Sequence, residues 1–344
     1  MTSARTSTSA RTSTCARASR VDVVVVGAGR VGRATCARLV ADGARVRVVA
    51  RDVESANARA LREMGCDVVE GDVTDARALE RGLVDADGAC VVAAFGAARI
   101  ATLADAAMNP SEVDVRHPRF VNYLGVERLA RIAARSGVKK FVRVTGASVG
   151  YPAFDVVAVL LNAVLSMTIR WQLRGEMAIR EVCKNSAMKY VVVRPGNLRD
   201  GAPCAEVEGG NERVVLGSGG ARVHAGKVSR SDVADVIVEA IRRPECENVT
   251  LTVAGSPTPS GGVRTELTWD PARGMHWQTV AIEDTVREGV SFRDDSMWTA
   301  VAPDTDELKE KAHRRYVAMF LALLAGVFVL VARGAAALVA RVFA

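Results

Sequence analysis

From residue 21 onward, apolar positions come in short runs separated by segments with helical spacing. Val21 and Val23 to Val26 form the first run, and others fall at 45–50, 67–70, 88–94, 139–145, 189–194 and 248–253. All are strand-length, and most are rich in valine, as buried strands are. Between them, stretches such as RVGRATCARLVADG and VNYLGVERLARIAARSG repeat apolar residues at helical intervals. The alternation predicts an α/β chain with a Rossmann-type, doubly wound parallel sheet. One run, FDVVAVLLNAVLSMTI at 154–169, is apolar almost throughout. It predicts a packed helix, a lid over an apolar ligand, or a surface pressed on lipid.

Beyond residue 255 the pattern loosens. Residues 256–308 carry SPTPSGG and the scattered Trp269, Trp277 and Trp298 without clear periodicity, which predicts an extension or linker after a domain at 21–255. The end of the chain differs again. YVAMFLALLAGVFVLVA at 316–332 is 17 residues without a charge, preceded by Lys309, Lys311, Arg314 and Arg315. Residues 309–344 therefore predict a basic flank and a transmembrane helix at about 316–340, with Arg333 snorkelling and the folded domain on the basic side. The opening residues 1–20 repeat SARTST and contain no Asp or Glu, the composition of a transit peptide or a disordered basic leader.

Charge changes the picture only when divided along the chain. The net +7 comprises +4 in residues 1–20 and +5 in 309–344, leaving −2 between them. With no basic face in the middle and no nucleic-acid motif, DNA and RNA are excluded as expected partners. The seven cysteines, Cys15 among them, form no C-x-x-C pair and have no His at metal spacing, so they predict reduced, packed thiols and no metal site.

The candidate chemistry begins where the first run meets GAGRVG. A strand turning into a helix through Gly27, Gly29 and Gly32 exposes backbone N–H groups uncovered by any Cβ, which suits a dinucleotide pyrophosphate. Arg51 closes the second run about 20 residues on, where a guanidinium can fork onto a 2′-phosphate; this favours NADP over NAD. The adjacent Asp52 either takes a ribose hydroxyl or N-caps a helix beginning near Val53. Ala93, Ala94, Phe95 and Gly96 end the fourth run, where small residues leave room for the cofactor's centre or simply pack.

With these segments in order, the chain resembles the atypical short-chain dehydrogenase/reductases, and among them the NmrA-like NAD(P)-binding proteins, including plastid members related to a Tic import-complex subunit. The resemblance covers residues 21 to about 255. It rests on VVVVGAGRVGRATCARLV, VRVVARD, VVEGDVTDARALERGL, VVAAFGA, VNYLGVERLARIAARSGVKKFVRVTGAS, RWQLRGEMAIRE, YVVVRPGNLRDG and KVSRSDVADVIVEAI. One departure is the tighter G-x-G-x-x-G in place of the family's usual G-x-x-G-x-x-G. The resemblance implies that the turn, with Arg30 and Val31 beside its glycines, holds the dinucleotide. It also implies that Asp72 and Val73 meet the adenine end, unless Asp72 caps the next helix, and that Arg194, Pro195 and Gly196 line the nicotinamide side.

In ordinary members of the superfamily a Tyr-x-x-x-Lys pair supplies acid and cation one helical turn apart. If Arg174 stands for the lysine, the tyrosine position is Arg170, and no phenol is there. Thr145, Ser148 and Tyr151 are the remaining hydroxyl candidates for catalysis, and Arg174 is expected to hold the nicotinamide ribose without exchanging protons. The expectation is an NADP(H)-binding protein on an organelle membrane, a plastid with the domain in the stroma. It acts either as a redox-sensing or assembly factor with a membrane-protein partner, or as a reductase of an apolar, membrane-soluble small molecule.

Overall fold

The computed structural model describes residues 21–97, 105, 114–206, 213–219, 223, 226–256, 263–270, 272–281, 286–304 and 313–342. The leader 1–20 with Cys15, and the flank residues Lys309 and Lys311, lie outside them. The strands β1 (Val23–Val26), β2 (Val46–Ala50), β3 (Asp67–Glu70), β4 (Cys90–Ala93), β5 (Lys140–Val144), β6 (Lys189–Pro195) and β10 (Val249–Ser256) pair in parallel in the order 3-2-1-4-5-6-10. That order reverses between β1 and β4, so both strands deliver their C-terminal ends to one crevice. β1 is four buried valines, a run that suits a central strand covered on both faces.

The period-two alternation of the strands divides the core. Val23 and Val25 face α1 (Arg30–Ala41) and α7 (Arg230–Arg242), while Val24 and Val26 face the layer of α3 (Ala76–Gly82), α4 (Val126–Arg135) and α6 (Thr168–Lys184). A short α2 (Ala56–Glu63) follows β2, and α5 (Val156–Val164) precedes α6. Two three-residue strands, β7 (Asn197–Arg199) and β9 (Lys227–Ser229), pair in parallel, and β11 (Val263–Asp270) with β12 (Gly274–Ala281) forms an antiparallel hairpin.

The expected boundary at residue 255 does not mark an edge of the sheet. β8 (Arg213–Gly217) pairs antiparallel with β10, and β13 (Val286–Gly289) pairs antiparallel with β8. Phe292, Met297 and Trp298 then bury themselves in the core on the α1 and α7 face, with the Trp298 indole N–H donating to Phe292 O at 2.9 Å. Residues 286–304 therefore belong to the folded domain rather than to a linker.

The apolar run at 154–169 is broken. α5 and α6 meet at 97° across Ser166 and Met167, both at positive φ, and Asn162 Oδ1 accepts the N–H groups of Ile169 and Arg170 at 3.0 and 3.3 Å. A buried amide thus caps α6 from the preceding helix. The last helix, α8 (His313–Val342), is the one helix among the described residues long and apolar enough to cross a membrane. Its first turns are rooted in the domain: Val317 is buried with Val159, Met167 and Trp171.

Candidate functional site

The three glycines of the first turn do three different things. Gly27 has φ +112°, and a Cβ there would sit 2.7 Å from Ala94 O, so it serves the turn between β1 and the end of β4. Gly32 lies so close to the Gly27 carbonyl that a Cβ would stand 2.0 Å from its oxygen; it permits α1 to pack on the turn. Gly29 differs, because a Cβ there would meet no protein atom within 4 Å. It N-caps α1 without a side chain and faces the crevice. A helix N-terminus with unpaired N–H groups at the floor of a cavity fits a pyrophosphate.

The crevice has a volume of about 540 Å³. Of the residues expected from the sequence, Gly27, Gly29, Arg51, Asp52, Asp72, Val73, Ala94, Phe95 and Gly96 line it. Arg51 makes no hydrogen bond or ion pair among the described residues, so its guanidinium is uncommitted at the end of β2. Asp52 is not a helix cap. Its Oδ1 accepts the Glu54 N–H at 2.9 Å in a local turn, and α2 starts later, capped by Ser55 accepting from Ala58 N–H at 3.3 Å. Asp72 likewise turns on Thr74, leaving Asp75 to cap α3.

The other expected cofactor residues lie elsewhere. Ala93 is buried in the core on the α3, α4 and α6 face of the sheet, while Val31 packs from α1 against the core on the other face. Arg30 turns outward to Asp200 at 3.0 Å, and Asp200 also binds Arg230. Pro195 pairs with Val253, whose carbonyl accepts the Gly196 N–H at 2.7 Å.

Arg194 and Thr145 belong to a buried cluster on the α6 face of the sheet. Glu176 of α6 is fully buried and accepts two bonds from Arg194 (3.2 and 2.6 Å), one from the Thr145 hydroxyl (2.8 Å) and one from Arg180 (3.4 Å). Burial pushes the Glu176 carboxyl up, but Arg194 and Arg180 outweigh it and hold the group below the usual carboxylate range. Arg180 continues to Asp304 at 3.2 Å, which also accepts from Tyr190 and Thr250. Thr145 and Arg194, expected at the reaction centre, thus have a buried structural partner that lay unrecognised in RGEMAIRE. The legible signal was an acid four residues before an arginine on a helix flanked by apolar residues.

The positions that the superfamily's catalytic pair would hold are stacked. Arg174 lies 5.5 Å over the Tyr123 ring and Arg170 4.4 Å over Trp171, while Tyr123 and Trp171 stack on each other at 6.2 Å and 11°. Ser148 lies in the short helical turn Ala147–Gly150 and Tyr151 just after it, packed against the cluster of Val149, Ile169 and Leu173. Neither lines the crevice.

Several residues went unnoticed in the sequence. Ser55 and Asn57 line the crevice beside Arg51, and Arg33 donates to Asn57 Oδ1 at 3.2 Å. Asn122 sits in a π-helical turn at Arg119–Gly125; its Oδ1 accepts the Ala97 N–H at 3.0 Å and its amide donates to Thr168 at 3.1 Å. Gly175 lets α6 approach this turn, since a Cβ would stand 2.2 Å from Asn122 O. Arg143, inside β5, donates to Ala93 O and Phe95 O at 3.1 and 2.8 Å and stacks on Phe95 at 4.6 Å. Burial pulls its guanidinium down to about 10, partly offset by Glu176. Arg143 and Asn122 together hold the 94–97 wall of the crevice in place.

Comparison with known proteins agrees with this geometry. The NAD(P)H-binding family model matches residues 27–244. An uncharacterized chloroplastic protein of Arabidopsis thaliana is 28% identical over 227 residues, covering 65% of this chain and 72% of that protein. Protein TIC 62, chloroplastic, of Oryza sativa subsp. japonica is 28% identical over 185 residues, covering 51% of this chain but 35% of the rice protein. Among solved structures, a putative NAD-dependent epimerase/dehydratase from Bacillus halodurans superposes with a TM-score of 0.53 at 20% identity, covering 70% of this chain and 96% of that one. That likeness shows the fold. With the matching family model spanning most of the sheet and its crevice, the chain belongs to the NAD(P)H-binding family.

Proposed function

We propose that the protein binds NADP(H) in the β1–β4 crevice, is held on a plastid membrane by α8, and acts as a redox-sensing or assembly factor. The observation that carries the cofactor choice is Arg51, an uncommitted guanidinium at the adenosine end of the crevice. In this reading the Gly27–Gly29 turn and the α1 N-terminus hold the pyrophosphate, Arg51 the 2′-phosphate, Asp72 and Val73 the adenine end, and Ala94 to Ala97 the central ribose. Bound NADPH supplies a hydride from its nicotinamide. The chain's own residues decide whether a proton can accompany it. Arg170 and Arg174 stack on aromatic rings, and Thr145 donates to a carboxylate kept ionised, so the two arginines serve binding, and Thr145 rigidity, more than proton transfer.

The plastid location rests on the chloroplastic relatives, and the membrane on α8, a 24-residue span of mean hydropathy 2.3 over His313–Ala336. A reductase of an apolar, membrane-soluble substrate is the second reading, favoured by the apolar α5 packed beside the Ser148–Tyr151 turn. Purified full-length protein with bound NADPH, mixed with generic aldehydes, ketones and quinones, separates the two. The proposal expects the NADPH to stay unoxidised. Rapid turnover of simple carbonyls that is lost in Tyr151→Phe would overturn it.

A further inference from the structure

α5 carries a stripe of apolar side chains left exposed among the described residues. Val156, Val157, Leu160 and Val164 are 62%, 53%, 50% and 48% exposed. They recur at helical spacing on one face, while Ala158, Val159 and Asn162 bury the other. The helix contains no charged residue. Because its inner face is packed, the stripe points away from the domain and does not roof a cavity.

Its neighbour is the root of α8. The Phe154 and Tyr316 rings lie 3.6 Å apart between centroids, and Val159 and Val317 share a buried cluster. Beyond that root α8 is apolar and exposed, with Leu323 at 68% and Phe328 at 76%, and only 6% of its span is buried. The apolar surface of α5 is thus continuous with the surface from which α8 departs. α5 cannot itself be a span: its nine residues rise about 14 Å, against a hydrocarbon core of about 30 Å. Nor can it join α6 in crossing, since α6 is packed into the core through Ile169, Trp171, Leu173 and Ile179.

We infer that the exposed face of α5 lies in the plane of the bilayer surface, seating the domain on lipid beside the point where α8 enters. This rests on the reading of α8 as a membrane anchor. Helices that lie in the interface plane sink their apolar face about 5–10 Å into the headgroup and acyl boundary. The packing of α5 against Tyr151 then places the Ser148–Tyr151 end of the domain next to lipid.

The test uses full-length protein in vesicles of phosphatidylcholine and phosphatidylglycerol. The six described cysteines are buried, so with Cys15→Ser a fluorophore can be attached at Leu160→Cys, at Leu323→Cys on α8, or at the exposed Glu63→Cys on α2 as a remote control. Doxyl lipids are expected to quench the labels at 160 and 323 and to leave 63 unchanged, with shallow doxyl groups more effective than deep ones at 160. Quenching at 323 alone overturns the α5 inference while keeping the anchor. No quenching at either overturns both. Shielding of 160 from aqueous iodide without lipid quenching would show that a protein surface, such as a second copy, covers α5, and also overturns the inference.

Discussion

Replacing Glu176 probes how far the interior depends on one carboxylate. In Glu176→Ala, Arg194, only 2% exposed, loses both of its bonds to the carboxylate, the Thr145 hydroxyl loses its acceptor, and Arg180 keeps its Asp304 and Thr250 bonds and its contact with the Tyr190 ring. Breaking a buried ion pair from one side costs about 3–5 kcal/mol. That is a large share of the ~5–15 kcal/mol that stabilises a typical domain. Glu176→Gln keeps the shape and one acceptor but removes the charge, and the loss of charge-assisted bonds is expected to cost about 1.5–3 kcal/mol. The pH dependence has a definite sign. The folded carboxyl lies below its usual range, so its contribution is complete above the unfolded value of about 4.3 and disappears as pH falls through the lower folded value. Urea unfolding of the full-length protein in mild detergent, followed by tryptophan fluorescence between neutral and acid pH, measures both effects. A Glu176→Ala loss under about 1 kcal/mol, within the range of ordinary substitutions, would refute the reasoning. So would an acid limb equally steep in Glu176→Gln and wild type.

Other substitutions separate fold from binding. Gly29→Ala is expected to unfold within about 1 kcal/mol of wild type, yet to weaken NADPH at least about tenfold in a fluorescence titration, because its Cβ meets only the crevice. Gly32→Ala must displace the Gly27 carbonyl, and is expected to lose roughly 1–3 kcal/mol of stability together with binding. Thr145→Val leaves NADPH affinity unchanged and costs about 1.5–3 kcal/mol in the same urea assay, as a bond to a carboxylate does. Ending the chain after Leu321 keeps Tyr316, Val317, Phe320 and Leu321 in their cluster, and is expected to give a cofactor-competent protein that stays in the supernatant after membrane pelleting.

The centre of the parallel sheet was legible because its strands are buried on both faces and so read as apolar runs: 21–26 is observed as Val23–Val26, and 88–94 as Cys90–Ala93. β13 was not, since VREG is short and half polar, and it is a strand only because β8 lies beside it. Trp298 looked like part of a linker for the same reason; its burial depends on Phe292 and on a sheet far away in sequence. The site divides similarly. Gly27, Gly29 and Arg51 are local to one strand–helix–strand unit, and their spacing carries the chemistry. Arg194 was placed at the nicotinamide side by the resemblance, and its pairing with Glu176 was missed because that acid sits on a helix, 18 residues away, that chain order alone does not orient toward it. Asp304 joins Arg180 across 124 residues, and no local pattern announces that pairing.

The most direct measurement of the central claim is a pair of titrations, NADPH and NADH, into wild type and Arg51→Ala. Wild type is expected to bind NADPH more tightly than NADH, and the variant to lose about 1.5–3 kcal/mol for NADPH, the worth of a charge-assisted bond, with NADH little changed. Equal affinity for the two cofactors in wild type, or an Arg51→Ala variant that binds NADPH as before, would contradict it.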